Sequence, residues 1–325
     1  MSTPAPPVAT FGPVQQDLQR VEDTLQALKS ADFPFLARAL DHVLSAGGKR
    51  VRPALALLAG KFANYDIDNL VPLAASIELL HSATLVHDDV IDAAPTRRGR
   101  ATANSLFDNA ATVMVGDYMF AHAADLVART GNIDVIRLFA RTLMRMATGE
   151  LHQDMSAYTY GQSTMDYFNR IAGKTASLFA TAAEGGAMIS GARLEWVEAL
   201  RDYGENIGMA FQIVDDVLDF SGSEEELGKP AGSDLMQGTL TLPSLLLIER
   251  YPTNNPVKRY FSGRQRTESL RRSLAMIRES DILDEAYAVA LDFRDRALAA
   301  LETLPESEPR DVLRELAHFV TERRS

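Results

Sequence analysis

The chain is predicted to be all-α, a bundle of roughly ten or more helices, and three observations carry that prediction. From Gln15 onward the sequence is dominated by Ala, Leu, Met, Glu and Arg, the residues that cost least in a helix. Apolar positions recur at helical spacing, and alternation of the strand type between turn signals is missing. Turn-forming residues then cut the chain into segments of helical length. The breaks fall at Gly47-Gly48, Asn64 to Asn69, Ala94 to Gly99, Thr130 to Asn132, Tyr160 to Ser163, Ser190-Gly191, Ser221 to Gly232, Tyr251 to Pro256 and Pro305 to Pro309.

Composition bounds the rest. At 325 residues, with 46% hydrophobic and 24% charged residues, the chain has the balance of a soluble globular protein, which excludes wholesale disorder and collagen-like structure. No apolar run nears the roughly 18 residues that span a bilayer, and no leader pattern is visible, so no transmembrane segment and a cytoplasmic location are expected. The absence of cysteine excludes disulfides, thiolate nucleophiles and zinc ribbons, and leaves oxygen or imidazole to hold any metal. A net charge of -11 carries no basic footprint for nucleic acid.

Residues 1–13 are rich in Pro and small residues and read as a mobile arm. None of the later breaks has the length or polarity of a linker, and no period repeats, so residues 14–325 are expected to form one domain.

Along the chain, the first chemistry-bearing cluster is Gly47-Gly48-Lys49-Arg50-Val51-Arg52-Pro53. Pro53 suits the first turn of a helix, and three cations before a helix N-terminus favour an anion, phosphate above all. The second is His81 to Asp92, followed by Arg97-Arg98-Gly99-Arg100. On a helix Asp88 and Asp92 face the same way, with His81 on that stripe. Like charges at this spacing repel unless a cation bridges them, and magnesium fits, because it takes a few carboxylates and completes its shell with water and phosphate. Below the carboxylates lie Thr84, Leu80 and Ile77, an uncharged wall beneath a charged mouth.

The acidic spacing recurs at Asp215, Asp216 and Asp219, with Gln212 on the carboxylate side and Ile207, Phe211, Val214 and Leu218 forming a separate apolar stripe. Gly173-Lys174-Thr175 offers a lysine and a hydroxyl within a helical stretch, and the glycine-punctuated loop Gly228 to Asp234 returns Lys229 toward the acidic end. Two acidic clusters and several local cations describe a place for a magnesium-bridged diphosphate with an apolar tail. His42, His87, His122, His152, Trp196 and Gly185-Gly186 read as packing.

From near residue 20 to the C-terminus the sequence closely resembles the trans-type polyprenyl diphosphate synthases. The resemblance rests on GGKRVRP, LLHSATLVHDDVIDAAPTRRG, GKTA and FQIVDDVLDFSGSEEELGKPAGSDL, in that order. It implies a helical bundle of the isoprenoid synthase type around a deep central cavity. It also implies a class I prenyl transferase that condenses an allylic diphosphate, farnesyl or geranylgeranyl, with isopentenyl diphosphate in trans 1'-4 steps, as a homodimer.

By that resemblance Asp88, Asp92, Asp215 and Asp219 hold Mg2+, supported by Asp89 and Asp216. Lys49, Arg52, His81 and Arg98 take isopentenyl diphosphate. Arg97, Lys174 and Lys229 contact the allylic diphosphate, and Thr175 and Gln212 line the reacting carbon. The family commonly has Lys where this chain has Thr239, so no phosphate contact is expected there. Arg323-Arg324 resembles a tail that closes the isopentenyl site.

In that family aromatic residues four or five positions before the first aspartate floor the pocket. Here those positions are Thr84 and Ala83, which with Leu80 and Ile77 leave the shaft open, most like octaprenyl and solanesyl diphosphate synthases. A long-chain product is expected, with a geranylgeranyl diphosphate synthase as the alternative and a floor from Met119 or Phe120 as its cause. The remote alternative is a non-catalytic subunit of a heteromeric synthase, against which the chain keeps all six aspartates.

Overall fold

A computed structural model describes residues 8–45, 47–97, 99–222 and 230–322. The fold is all-α, as the periodicity predicts. Val8–Val14 is a short 3-10 helix in which Phe11 and Val14 are buried, so helical structure begins before the boundary expected at residue 14. It is followed by α1 (Gln15–Ala27), α2 (Pro34–Leu44), α3 (Val51–Gly60) and α4 (Ile67–Ile91). Among the described residues the strands are confined to one pair, β1 (Thr96–Arg97) with β2 (Arg100–Ala101), paired antiparallel. Two residues per strand are too few to show alternation in sequence.

The chain continues through α5 (Ala103–Phe107), α6 (Asn109–Arg129), α7 (Ile133–Met155), α8 (Thr164–Ile171), a π turn over Ala172–Ala176, α9 (Ser177–Ile189) and α10 (Leu194–Ser221). After residue 230 come α11 (Ser233–Met236), α12 (Leu242–Arg250), α13 (Pro256–Phe261), α14 (Arg266–Arg278), α15 (Ile282–Leu301) and α16 (Glu308–Glu322). The sequence misses the breaks before Pro34, between α5 and α6, and on either side of α14. None of these carries a Gly-Gly, Pro-Gly or Asn-Gly pair.

The chain divides into two compact units. The first comprises residues 1–141, 178–201 and 301–315, the second 142–177, 202–300 and 316–325. In the first, α4 is the central helix and packs against α1, α3 and α6. Asp66 caps it by accepting from the Asn69 amide, and Asp68 adds a favourable charge to its first turn. By length and composition α4 is apolar enough to cross a bilayer, contrary to the sequence reading that no run reaches that length. Its most apolar window is 67% buried inside the protein, which is the setting of a core helix.

α9 seals the same core. A Cβ built on Gly186 would lie 2.1 Å from the Ala56 carbonyl oxygen of α3, and one on Gly185 would lie 3.2 Å from Leu73 of α4. The two glycines are packing devices, as expected. Gly186→Ala forces two backbones apart and should cost about 3 kcal/mol or more, toward the upper end for overpacking. Urea unfolding reads this as a lower midpoint, and an unchanged midpoint would mean that α9 does not lie on α3.

The second unit has its own core, in which Tyr167, Ile213, Phe220, Leu235 and Leu247 are wholly buried. Ser163 and Asp166 start α8 with a reciprocal capping box.

Candidate functional site

In the first unit, the basic cluster lies where the sequence places it, at the N-terminus of α3, but its three cations are not equivalent. Arg50 adopts a left-handed conformation as the N-cap, and its guanidinium bonds Glu22 of α1 at 2.9 Å and Glu78 of α4 at 2.7 Å. Arg50 is therefore a structural clamp. It fixes the turn from which Lys49 and Arg52 project, and Arg52 stacks 4.4 Å over the Phe179 ring. His81 stands half-buried on α4.

Asp88 and Asp89 occupy the last turn of α4, and Asp92 is its C-cap, with its amide donating to the Asp88 carbonyl. No basic residue lies in that turn. Carboxylates at the negative end of a helix are destabilising, so a cation beside Asp88 and Asp92 would be favoured there. Asp89 is buried, which pushes its carboxyl up, and Arg97 opposes the shift. The Arg97 Nε donates to Asp89 at 2.6 Å, so Asp89 anchors β1 and with it Arg97. Arg98 lies outside the described residues. Among the described residues no three acidic or imidazole side chains are gathered closely enough to hold a metal alone. Half-buried Asp88 and exposed Asp92 offer part of an oxygen shell, which suits a cation that keeps waters and shares phosphate oxygens.

The wall below Asp88 differs from expectation. Ile77, Leu80 and Ala83 are each 0% exposed, packed by protein, and Thr84 alone of the four has accessible surface. A helix wheel gives each residue a face, whereas the neighbour that covers that face comes from distant sequence. The His87 ring bonds the Val113 carbonyl and meets Phe120 of α6 at 5.2 Å. Ala83, one turn before His87, lies on that same face. His42 and His122 also pack, against Phe107 and Tyr118.

The second unit brings several expected residues together. Thr175 Oγ1 donates to Gln212 Oε1 at 2.7 Å, and Gln212 Nε2 donates to Asp216 Oδ1 at 2.9 Å. The Tyr167 hydroxyl donates to Asp216 Oδ2 at 2.7 Å. Asp216 is 2% exposed, and burial, with Asp234 and Asp215 adding, pushes it up to about 8 against the pull of the Tyr167 and Gln212 bonds. Asp215 is half-buried on the same helix.

Asp219 is placed differently from Asp215. It is 2% exposed, and its carboxylate accepts from the Ser233 hydroxyl and the Asp234 amide. That carboxylate holds the start of α11. Lys229 and the Arg323-Arg324 tail lie outside the described residues.

Lys174 and Thr175 sit on the π turn, a geometry that often marks functional sites. A Cβ on Gly173 would lie 3.2 Å from the Arg145 carbonyl oxygen, and one on Gly149 would lie 3.0 Å from the Lys174 amide. Glycine on both α7 and the π turn thus lets the two backbones approach. The Lys174 ammonium pairs with Glu150 of α7. Sequence also missed Tyr167, whose only signal is a tyrosine one turn inside α8.

An all-helical enzyme with two aspartate motifs at helical spacing, each accompanied by lysine or arginine, is the class of protein that these units define. The chain belongs to the polyprenyl synthetase family, whose model matches residues 33–277. It is a prenyl transferase. It is 38% identical over 315 residues to heptaprenyl diphosphate synthase component 2 of Geobacillus stearothermophilus, covering 97% of this chain and 98% of that one. Octaprenyl diphosphate synthase of Haemophilus influenzae is 36% identical, with 94% of each chain covered. Among solved structures, a polyprenyl synthase from Caulobacter crescentus CB15, complexed with calcium and isoprenyl diphosphate, superposes with a TM-score of 0.93 at 37% identity over 100% of both chains.

Proposed function

We propose that the chain is a long-chain trans-polyprenyl diphosphate synthase that extends farnesyl or geranylgeranyl diphosphate with isopentenyl diphosphate. The carrying observation is the concentration of Asp88, Asp89 and Asp92 at the C-terminal end of α4 with no basic residue in that turn. Heptaprenyl and octaprenyl synthases among the relatives support the long product.

By the family resemblance Asp88, Asp92 and Asp215 would hold Mg2+, which when bound supplies positive charge to the departing diphosphate. Lys174 and Arg97 take outward oxygens of that group, while Lys49, Arg52 and His81 hold isopentenyl diphosphate. Arg98 and Lys229 join these sets by family resemblance. Thr175 and Gln212 turn oxygen lone pairs toward the allylic carbon as it becomes cationic. The alkene of isopentenyl diphosphate attacks that carbon, and the released diphosphate accepts the proton.

Exposed Met144, Leu151 and Met155 share one face of α7, and this unpartnered apolar face supports a homodimer. The relative named as a component of its synthase favours a second reading, in which a different chain completes the enzyme. One preparation separates them. The purified chain, incubated with farnesyl diphosphate, labelled isopentenyl diphosphate and Mg2+, is expected to make products of about six to ten isoprene units while sedimenting as a dimer. Products stopping at four units would establish the geranylgeranyl alternative. A monomer inactive by itself would establish the two-component one.

A further inference from the structure

Tyr167 is 1% exposed, yet its hydroxyl ends a continuous chain of hydrogen bonds whose other end is Thr175, the hydroxyl that the proposed function sets at the reacting carbon. With Asp216 as a carboxylate, the direction of each bond is fixed by chemistry. Thr175 can only donate to the Gln212 carbonyl oxygen, because that atom carries no proton. Gln212 must then present its NH2 to Asp216, which accepts at Oδ1 from Gln212 and at Oδ2 from Tyr167.

With its proton committed to Gln212, Thr175 faces outward with lone pairs alone. A hydroxyl in that state favours a neighbouring positive charge, whereas one pointing its proton outward opposes it. The opposite amide orientation of Gln212 would produce the second state, since an NH2 aimed at Thr175 requires that oxygen as acceptor. What selects between them is Asp216, and what holds Asp216 as a double acceptor is Tyr167. Arg170 packs beside this ring, 5.6 Å from its centre, and donates to Gln162 and the Leu240 carbonyl, which leaves Tyr167 and Gln212 as the side chains that donate to Asp216 among the described residues.

We propose that Tyr167 is a positioning residue for ionisation: through Asp216 and Gln212 it sets the hydroxyl of Thr175 so that oxygen lone pairs, rather than a proton, meet the allylic cation. The inference rests on the prenyl-transfer reading given above. Because Tyr167 touches neither diphosphate, its loss acts on turnover and leaves the binding of isopentenyl diphosphate alone.

The test is steady-state kinetics of the full chain with Mg2+, farnesyl diphosphate and isopentenyl diphosphate. Tyr167→Phe should lower kcat about tenfold or more, the effect of losing one hydrogen bond to a charged group, with KM for isopentenyl diphosphate within about twofold of wild type. In a Thr175→Val background, where no hydroxyl remains to orient, the same substitution should change kcat less than about twofold. An equal fall in both backgrounds would show a role in packing only and overturn the proposal, as would unchanged kcat in Tyr167→Phe.

If Tyr167→Phe does not fold, 3-fluorotyrosine at 167 keeps ring and hydroxyl but alters donor strength. It should shift kcat in the wild-type background and not beside Thr175→Val, and the absence of any shift overturns the proposal. A wild-type chain inactive on both diphosphates would remove the functional reading and this inference with it. Wild-type activity with additive mutant effects removes this inference alone.

Discussion

Asp88→Ala and Asp215→Ala are each expected to reduce turnover at least about a thousandfold, a barrier increase of about 4 kcal/mol. The size follows from what these groups are proposed to do. Each stands half-buried on a helix and acts on the allylic diphosphate only through a cation, so its removal weakens charge stabilisation that exists chiefly in the transition state. Folding should not suffer, because Asp88 is one of three carboxylates at an unfavourable helix end, and its loss relieves repulsion there.

Asp219→Ala should behave otherwise. Its carboxylate is engaged by Ser233 and the Asp234 amide, so the first consequence is a loosened α11 and a lower melting temperature. Rapid-quench turnover measured beside thermal unfolding separates the two patterns. Near-normal turnover in Asp88→Ala or Asp215→Ala would sink the role assigned to that motif. Chelation is expected to abolish activity and Mg2+ to restore it.

What could be read from sequence was whatever depends on spacing along one helix. The i, i+4 relation of Asp88 to Asp92, and the apolar stripe of Ile207, Val214 and Phe211 beside the second motif, follow from a fixed periodicity, as does the all-α class. Distances between helices are not encoded that way. Nothing in Gly47 to Pro53 separates Arg50 from Lys49 and Arg52, because Arg50 becomes structural only by meeting Glu22 and Glu78, each 28 residues away.

The π turn likewise depends on Gly149 meeting Gly173, and Lys174 on meeting Glu150. Tyr167 looks like an ordinary amphipathic position until α10 brings Asp216 to its hydroxyl. The expected open wall at Ile77, Leu80 and Ala83 was read from a helix face alone, and all three side chains are wholly buried by neighbours that this face does not reveal.

That correction decides where product length should be tested. Thr84 lies four residues before Asp88, hence on the same face and about 6 Å below it, and it is the one position of the expected wall with accessible surface. Its hydroxyl donates to the His81 carbonyl within the same helix at 2.8 Å, so replacing it leaves no distant partner unpaired. A large ring there enters accessible space, and a lengthening tail that descends along this face must meet it.

Thr84→Tyr is therefore expected to shorten products to about three or four isoprene units, with the first condensation near its wild-type rate and little change in melting temperature. Ala83→Tyr would put the same ring on the His87 side of α4, where Ala83 is wholly buried and α6 closes over the helix, and overpacking should cost about 1–3 kcal/mol. Comparing both variants by product chromatography and thermal unfolding distinguishes a floor from a damaged core. If Thr84→Tyr is stable and active yet yields the wild-type range of products, the growing chain does not run along this face of α4. Met119, wholly buried on α6, and half-buried Phe120, against the His87 ring, are then the side chains to truncate.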